Sequence, residues 1–286
     1  NASVITTSNG SSSDGNLRSL VVGGAGIHDT FVYAEGDIKA MNVKPGGVIQ
    51  DSNIIINHGY KTKIIADEIN GTSIDSANII NSVHGRHGIT ELNVSAGRIN
   101  KIHSGGDLIG ARLNSVGDVK SVTVKGDMIG SIDFVGQFSY LKKLNVKGDV
   151  GTPVGGVLTV QGKIGSLKVG GDFFSQLYLN WSQPSGLPGE GGTGQQITPF
   201  SDPDNPAKVL DKMNVSGQIM GIGDIGGSIG TIKSGGIFGI LGATFHVHGD
   251  LKKLTVGSTK NRANLESNMI IDGYLGSVLV YGNVNG

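Results

Sequence analysis

The sequence predicts an all-β protein, a single parallel β-helix (β-solenoid) of about ten coils with one long proline-rich loop excursion. Three observations predict it. Glycine supplies 49 of 286 residues without the every-third-residue period of collagen, so the glycines serve tight corners. Apolar and polar residues alternate in short runs, the period of strands with one buried face. Similar phrases also recur, with corner glycines at Gly126, Gly148 and Gly171 set 22 and 23 residues apart. Two or three short strands per copy, no helix-length segment and a period too short for a four-stranded blade select stacked coils.

Residues 1–20 are rich in Ser, Thr, Asn and Gly, and this composition predicts a polar arm unable to bury a core alone. The solenoid is expected over 21–286. Ile27–Tyr33 leads through Gly36-Asp37 to Ile38–Val43, two alternating runs about a corner. Between Gln50 and His103 the copies lose regularity. Asp51-Ser-Asn-Ile-Ile-Ile56 and Asp75-Ser-Ala-Asn-Ile-Ile80 restate each other 24 residues apart, which predicts longer or differently cornered coils.

Regular copies return at Gly106-Asp107, Gly126-Asp127 and Gly148-Asp149. Val160-Gln-Gly-Lys-Ile164 is followed nine residues on by Val169-Gly-Gly-Asp-Phe173, a strand, a glycine corner and a strand in quick repetition. Residues 175–208 interrupt the pattern with five of the seven prolines (Pro184, Pro188, Pro199, Pro203, Pro206) and the single tryptophan. Proline cannot donate to a strand ladder, so an inserted loop is expected there, with Trp181, Pro184 and Phe200 as lateral-contact residues. Val247–Val256 and Ile271–Gly282 are the later copies. At about 4.8 Å per coil the stack makes a rod on the order of 50 Å long, cored by Val, Ile and Leu.

Composition also excludes. The 23 basic and 23 acidic residues are spread along a chain of zero formal charge, which argues against a nucleic-acid partner. No apolar run is long enough for a membrane span. Without cysteine there are no disulfides, thiol nucleophiles or thiolate metal sites. The first residue is Asn1, which reads as a mature chain after signal-peptide removal, so an extracellular or cell-surface location is expected.

Few residues suggest chemistry. The corners place Asp37, Asp107, Asp127, Asp149, Asp172 and Asp250 at one position of the repeat. Asp127, Asp149 and Asp172 are weak candidates for a calcium-binding carboxylate row, set against ordinary turn chemistry in which each Asp closes its own corner. His84, His87 and His103, or His246 and His248, are metal candidates, but no carboxylate stands at matching spacing in sequence, so no metal and no cofactor is the expectation. Five arginines and five glutamates without a recurring cluster point away from an enzyme. Six Asn-x-Ser/Thr sequons, Asn1, Asn9, Asn70, Asn93, Asn180 and Asn214, are candidate glycosylation sites. Asn93 and Asn214 precede a buried Val and should point outward.

Leu141-Lys-Lys-Leu-Asn-Val-Lys-Gly-Asp and Ile164-Gly-Ser-Leu-Lys-Val-Gly-Gly-Asp resemble the repeats of secreted microbial β-solenoid surface proteins. The resemblance covers roughly 21–286 outside the excursion, and it extends in character to the amyloid-like sheath proteins of methanogenic archaea. It implies a surface-layer, sheath, adhesin or filament subunit. Strand edges at Leu20, Val21 and Val22 and at Val278, Val280 and Val284 carry no cap in the sequence and are the expected assembly edges. Copies of the chain itself are therefore the expected partners, together with cell-surface glycans. The alternatives are a carbohydrate-active β-helix, a lyase or hydrolase of polysaccharides, and an adhesin or fibre module.

Overall fold

The structure is a computed structural model that describes residues 2–7, 16–58, 62–135, 140–179, 208–236 and 239–285. Every regular element among them is a β-strand, and all belong to one continuous sheet. Strands pair in parallel with the next coil rather than with their chain neighbours, so the chain winds as a β-solenoid of about ten coils.

Three ladders run along the stack. The first is short, with Gly26–His28 beside Val48–Gln50 and later single bridges through Val150, Phe173 and Ile219. Thr30–Ala34, Asn53–Ile56, Val157–Val160 and Gln176–Leu179 belong to the second. The third holds Val119–Val124, Tyr140–Val146, Lys163–Val169 and Leu251–Val256. In this third ladder simple alternation fails at one recurring place. Leu141 and Leu144 are both buried, with Lys142 and Lys143 both exposed between them. The extra outward residue recurs at the same place in the neighbouring coils, so the ladder stays in register across it.

Inside, like positions stack into columns. Val122, Leu144, Leu167 and Met213 follow one another in register, each at most 1% exposed. Each such side chain stabilises the stack by about 1.5–3 kcal/mol relative to exposure. Volume is conserved along a column: Gly223 lacks a side chain where the ring of Phe245 fills the space, within 2.3 Å of where a Cβ would stand.

Two kinds of glycine turn the corners. Between the first and second ladders the corner residue takes a left-handed backbone: Gly71, Gly110 and Gly130 have φ of 54°, 59° and 82°, and Asp29, Asp51 and Glu91 take the same conformation in other coils. Here glycine provides a backbone that other residues reach only under strain. The Gly-Asp corner before the first ladder needs glycine for space. The N–H of Asp127 donates to Asp107 Oδ1 (2.8 Å), that of Asp149 to Asp127 Oδ1 (2.8 Å) and that of Asp172 to Asp149 Oδ1 (2.7 Å). A Cβ on Gly126, Gly148 or Gly171 would fall 1.9–2.0 Å from the carboxylate oxygen arriving from the coil before. These aspartates therefore fasten one coil to the next, where own-corner closure was expected.

Other expectations also shift. Ala2–Thr6 pairs with Thr30–Ala34 and Leu17 bridges to Ile38, so part of the expected polar arm belongs to the stack. A composition averaged over twenty residues hides a five-residue strand. Coils between Gln50 and His103 are shorter, not longer: Ile54 lies beside Ile74 and Ile64 beside Val83, twenty and nineteen residues apart. Hydrogen bonding runs unbroken from Ser73 to Ser104 there. Asp75 pairs with Ile55 rather than Asp51, so the 24-residue echo is not the register. Arg86 binds this region by donating to Asp67 Oδ1 (2.8 Å), the Val43 carbonyl (3.1 Å) and Asn42 Oδ1 (3.2 Å). The paired phrases at Val160 and Val169 are two corners of one coil, not two copies.

The proline-rich interruption is narrower than 175–208, because Ser175 is buried and Gln176–Leu179 stays in the second ladder. Trp181, Pro184 and Phe200 lie outside the described residues. Stacking passes across the insertion: Asp172 Oδ1 accepts the N–H of Gln218, 46 residues on, at 2.7 Å.

The corner geometry makes a double-substitution prediction. Asp127→Ala leaves the Asp149 N–H without its acceptor and costs about 1–2 kcal/mol, and Gly148→Ala costs about 2–3 kcal/mol. The new methyl and the deleted carboxylate contend for the same space, so the double variant is expected to cost less than the sum in urea unfolding. Strict additivity would count against the spatial account of the glycine.

Candidate functional site

Outward positions stack as strictly as inward ones, so side chains about twenty residues apart become neighbours. The third ladder shows this most strongly. Its strands carry twelve lysines and a single carboxylate, Asp211. Some of these lysines are paired: Lys142 with Asp118 (2.9 Å), and Lys163 and Lys208 with Asp211 (3.2 and 3.0 Å). Lys142 and Lys163 also lie over the Tyr140 ring.

One column of this ladder alternates regularly. Lys63 stands beside Ser82, and Lys101 beside Ser121. Ser121 is followed in register by Lys143, Ser166, Lys212, Thr231 and Lys253. The amide of Asn100 donates to Asn81 Oδ1 (3.2 Å) and joins the two halves of the column. Lys63, Lys101, Lys143, Lys212 and Lys253 are exposed, and none has an ion-pair partner among the described residues.

At its N-terminal half the column borders an open groove of about 550 Å³, lined by Lys63, Lys101, Lys120, His84 and His103. The two imidazoles meet edge to face, with ring centres 4.5 Å apart. His103 Nδ1 is covered and has no hydrogen-bond partner. Burial, then the charge of His84 and of Lys101, Lys125 and Lys147, pushes the His103 pKa down to about 4. His84 is lowered for the same reasons, with burial first and Arg86 next. His87 does not join them, lying 3.7 Å from Asp67 instead.

A second cluster sits on the second ladder across three coils. His248 Nε2 is 3.1 Å from Asp224 Oδ1, and its Nδ1 is 2.9 Å from Asp272 Oδ2. His246 Nε2 is 3.1 Å from both oxygens of Asp272, and the two rings lie 3.8 Å apart. Hydrogen bonding from His246, then the charges of both histidines, holds the Asp272 carboxyl below the usual carboxylate range against a smaller opposing effect of burial. One ligand atom each from Asp224, His246 and His248 falls within 4.8 Å of the others, a nitrogen-oxygen set of the kind that suits zinc. A carboxylate at matching position therefore exists, contrary to the sequence reading. It is supplied by the coils before and after, and the signal that could have found it is the repeat length added to each histidine's number.

Asp127, Asp149 and Asp172 each already accept a backbone N–H through Oδ1. Of the sequons, Asn93 is exposed as expected, and Asn70 is half-buried at a corner. Asn214 is half-buried between Lys168 and Lys233, with its Oδ1 covered and unbonded. Asn1, Asn9 and Asn180 lie outside the described residues.

At the ends, Leu20 and Val22 face inward and pack partly on the core, while Val21 points out. Leu275 and Val278 occupy the inward positions of Leu251 and Leu254, yet each is 44% exposed where their counterparts are at most 2% exposed. Val280 packs partly on the core and Val284 is exposed. No helix among the described residues is long and apolar enough to cross a membrane. Comparison with family models, curated proteins and solved structures gives no match.

The histidine pair predicts acid sensitivity. With its folded pKa depressed to about 4, His103 binds a proton less readily folded than unfolded, where its pKa is about 6.5. Its contribution to stability is therefore present above pH ~6.5 and declines as pH falls through that window toward ~4. Thermal melts of His103→Gln across this range are expected to show a shallower pH slope than the parent. An unchanged slope would refute this account of His103.

Proposed function

We propose that the chain is a structural subunit, not an enzyme, which builds an extracellular layer, sheath or filament by stacking coil upon coil. The observation that carries this reading is the coil-on-coil stacking itself, in which corner bonds and inward columns join each coil to the next, even across the insertion between Asp172 and Gln218. Inward side chains of the outermost described coil, such as Leu275 and Val278, gain the same stabilisation when a further coil covers them. A parallel strand of the same repeat has the required spacing and chemistry.

A second copy fits the requirement. At the other end, Ala2–Thr6 and Leu20–Val22 present the second and third ladders, the same two that Leu265–Ile271 and Leu275–Val280 leave open. Where the cover is a second copy, the first described coil on the last is a heterologous contact, which propagates as a filament unless its rotation closes a ring. Surface-layer and sheath proteins, which the repeat phrases resemble, are the class this role suits. Copies of itself are the principal partner, and Asn93, exposed on the outer surface, is the best-placed described sequon for a glycan.

Electron microscopy of the purified chain is expected to show fibres or sheets, and fibre diffraction a reflection near ~4.8 Å along the stack. Leu275→Lys with Val278→Lys places charge on the open edge and is expected to leave a folded, non-assembling species. A parent that stays monomeric at high concentration, or a variant that assembles like the parent, would overturn the reading.

A further inference from the structure

We propose that the lysine column of the third ladder is a binding track for a linear acidic polysaccharide carrying an anionic group on every second sugar. The column is Lys63, Lys101, Lys143, Lys212 and Lys253, with Ser or Thr at the alternate coils. Lysines two coils apart stand about 10 Å from one another along the stack. One sugar of an extended chain rises by close to the height of one coil. Anions on alternate sugars therefore keep step with lysines on alternate coils over the length of the column, while the intervening neutral sugars pass over the shorter Ser and Thr residues.

Three further observations favour this occupant. The five ammonium groups lack carboxylate partners among the described residues, although the neighbouring Lys142, Lys163 and Lys208 have them. The groove beside Lys63 and Lys101 adds the exposed side-chain amide of Asn81, whose N–H groups suit sugar hydroxyls. A nucleic-acid strand matches less well, because its phosphates recur every ~3.4 Å of helix axis and single strands are held by exposed aromatic platforms. In the strands of this ladder the six-membered aromatic is Tyr140, whose ring lies beneath Lys142 and Lys163. Avoidance of like charges on adjacent strands explains why lysine is not consecutive, but it does not explain why lysine returns five times to one column.

The test uses the whole chain and four probes at fixed ionic strength: hyaluronan, with one carboxylate per two sugars; polygalacturonate, with one on every sugar; a single-stranded oligonucleotide; and vesicles containing phosphatidylserine. Hyaluronan is expected to bind most tightly of the four, with affinity falling as salt rises. The triple variant Lys101→Gln, Lys143→Gln, Lys212→Gln removes three exposed charges without touching the core, and is expected to weaken binding about tenfold or more. The corresponding Lys→Arg triple is expected to retain it, and so is Lys44→Gln with Lys260→Gln, which lie off the ladder. Thermal melts establish that each variant is folded. Absence of hyaluronan binding, binding that survives the Lys→Gln triple, or equal or tighter binding of any other probe overturns the proposal.

Discussion

The contact on which the rest of the structure depends joins an aspartate at one corner to the backbone N–H of the corner above. Asp107, Asp127, Asp149 and Asp172 form a chain of such bonds, each carboxylate capping the next coil. The carboxylate passes over the Cα of the residue before the next aspartate, so that residue must be glycine. The recurring Gly-Asp pair is thus one interaction seen in sequence: its aspartate serves the coil above, and its glycine admits the aspartate from below. Where the pair varies the interaction remains. Asn264 Oδ1 accepts from the N–H of Asn283 at 2.9 Å at this corner, whereas Asp37 and Asp250, expected at the same position of the repeat, stand at the corner between the second and third ladders, where Ser228 Oγ accepts the N–H of Asp250 at 2.9 Å.

Because the corner is fastened at the same point in successive coils from Asp107 to Gln218, the register of all three ladders is held there, and a one-residue slip would turn each strand's apolar side outward. The consequence for the surface equals that for the core. Every outward position becomes a column, and the chemistry of a column is set by residues far apart in the chain. A formally neutral protein can therefore present twelve lysines and one carboxylate on a single ladder, while acidic residues such as Asp75, Asp133 and Asp224 sit on another. Net charge, which in the sequence argues against a nucleic-acid partner, averages over faces that the fold keeps separate.

Fold class was legible because glycine corners and alternating apolar residues report local geometry. The site was less so. Leu141-Lys-Lys-Leu and Ile164-Gly-Ser-Leu were visible as variants of one phrase, but their alternation as a column appears only once Lys143 is known to stand beside Ser166 and that beside Lys212. The insertion hides this step, since Ser166 and Lys212 are 46 residues apart. His246 and His248, two residues apart, share one side of a strand by sequence alone, whereas Asp224 and Asp272 reach them from adjacent coils. Sequence periodicity reveals a strand's two sides readily; neighbours across strands require the coil length, which varies here from nineteen residues upward.

That variation shows which parts of the chain the stacking constrains. Asp172 finds the N–H of Gln218 across twice the usual separation, so residues between one ladder and the next can be added without disturbing either. Coil length is free wherever the corner bond and the inward column are kept. Leu275 and Val278 continue the inward column into the outermost described coil. Corner fastening and column packing place no requirement on chain continuity between one coil and the next, since Asp172 and Gln218 meet through a side chain and a backbone N–H alone. On the proposed assembly reading a coil of a second copy meets the same two conditions, and the interactions that hold the solenoid together are the ones that extend it.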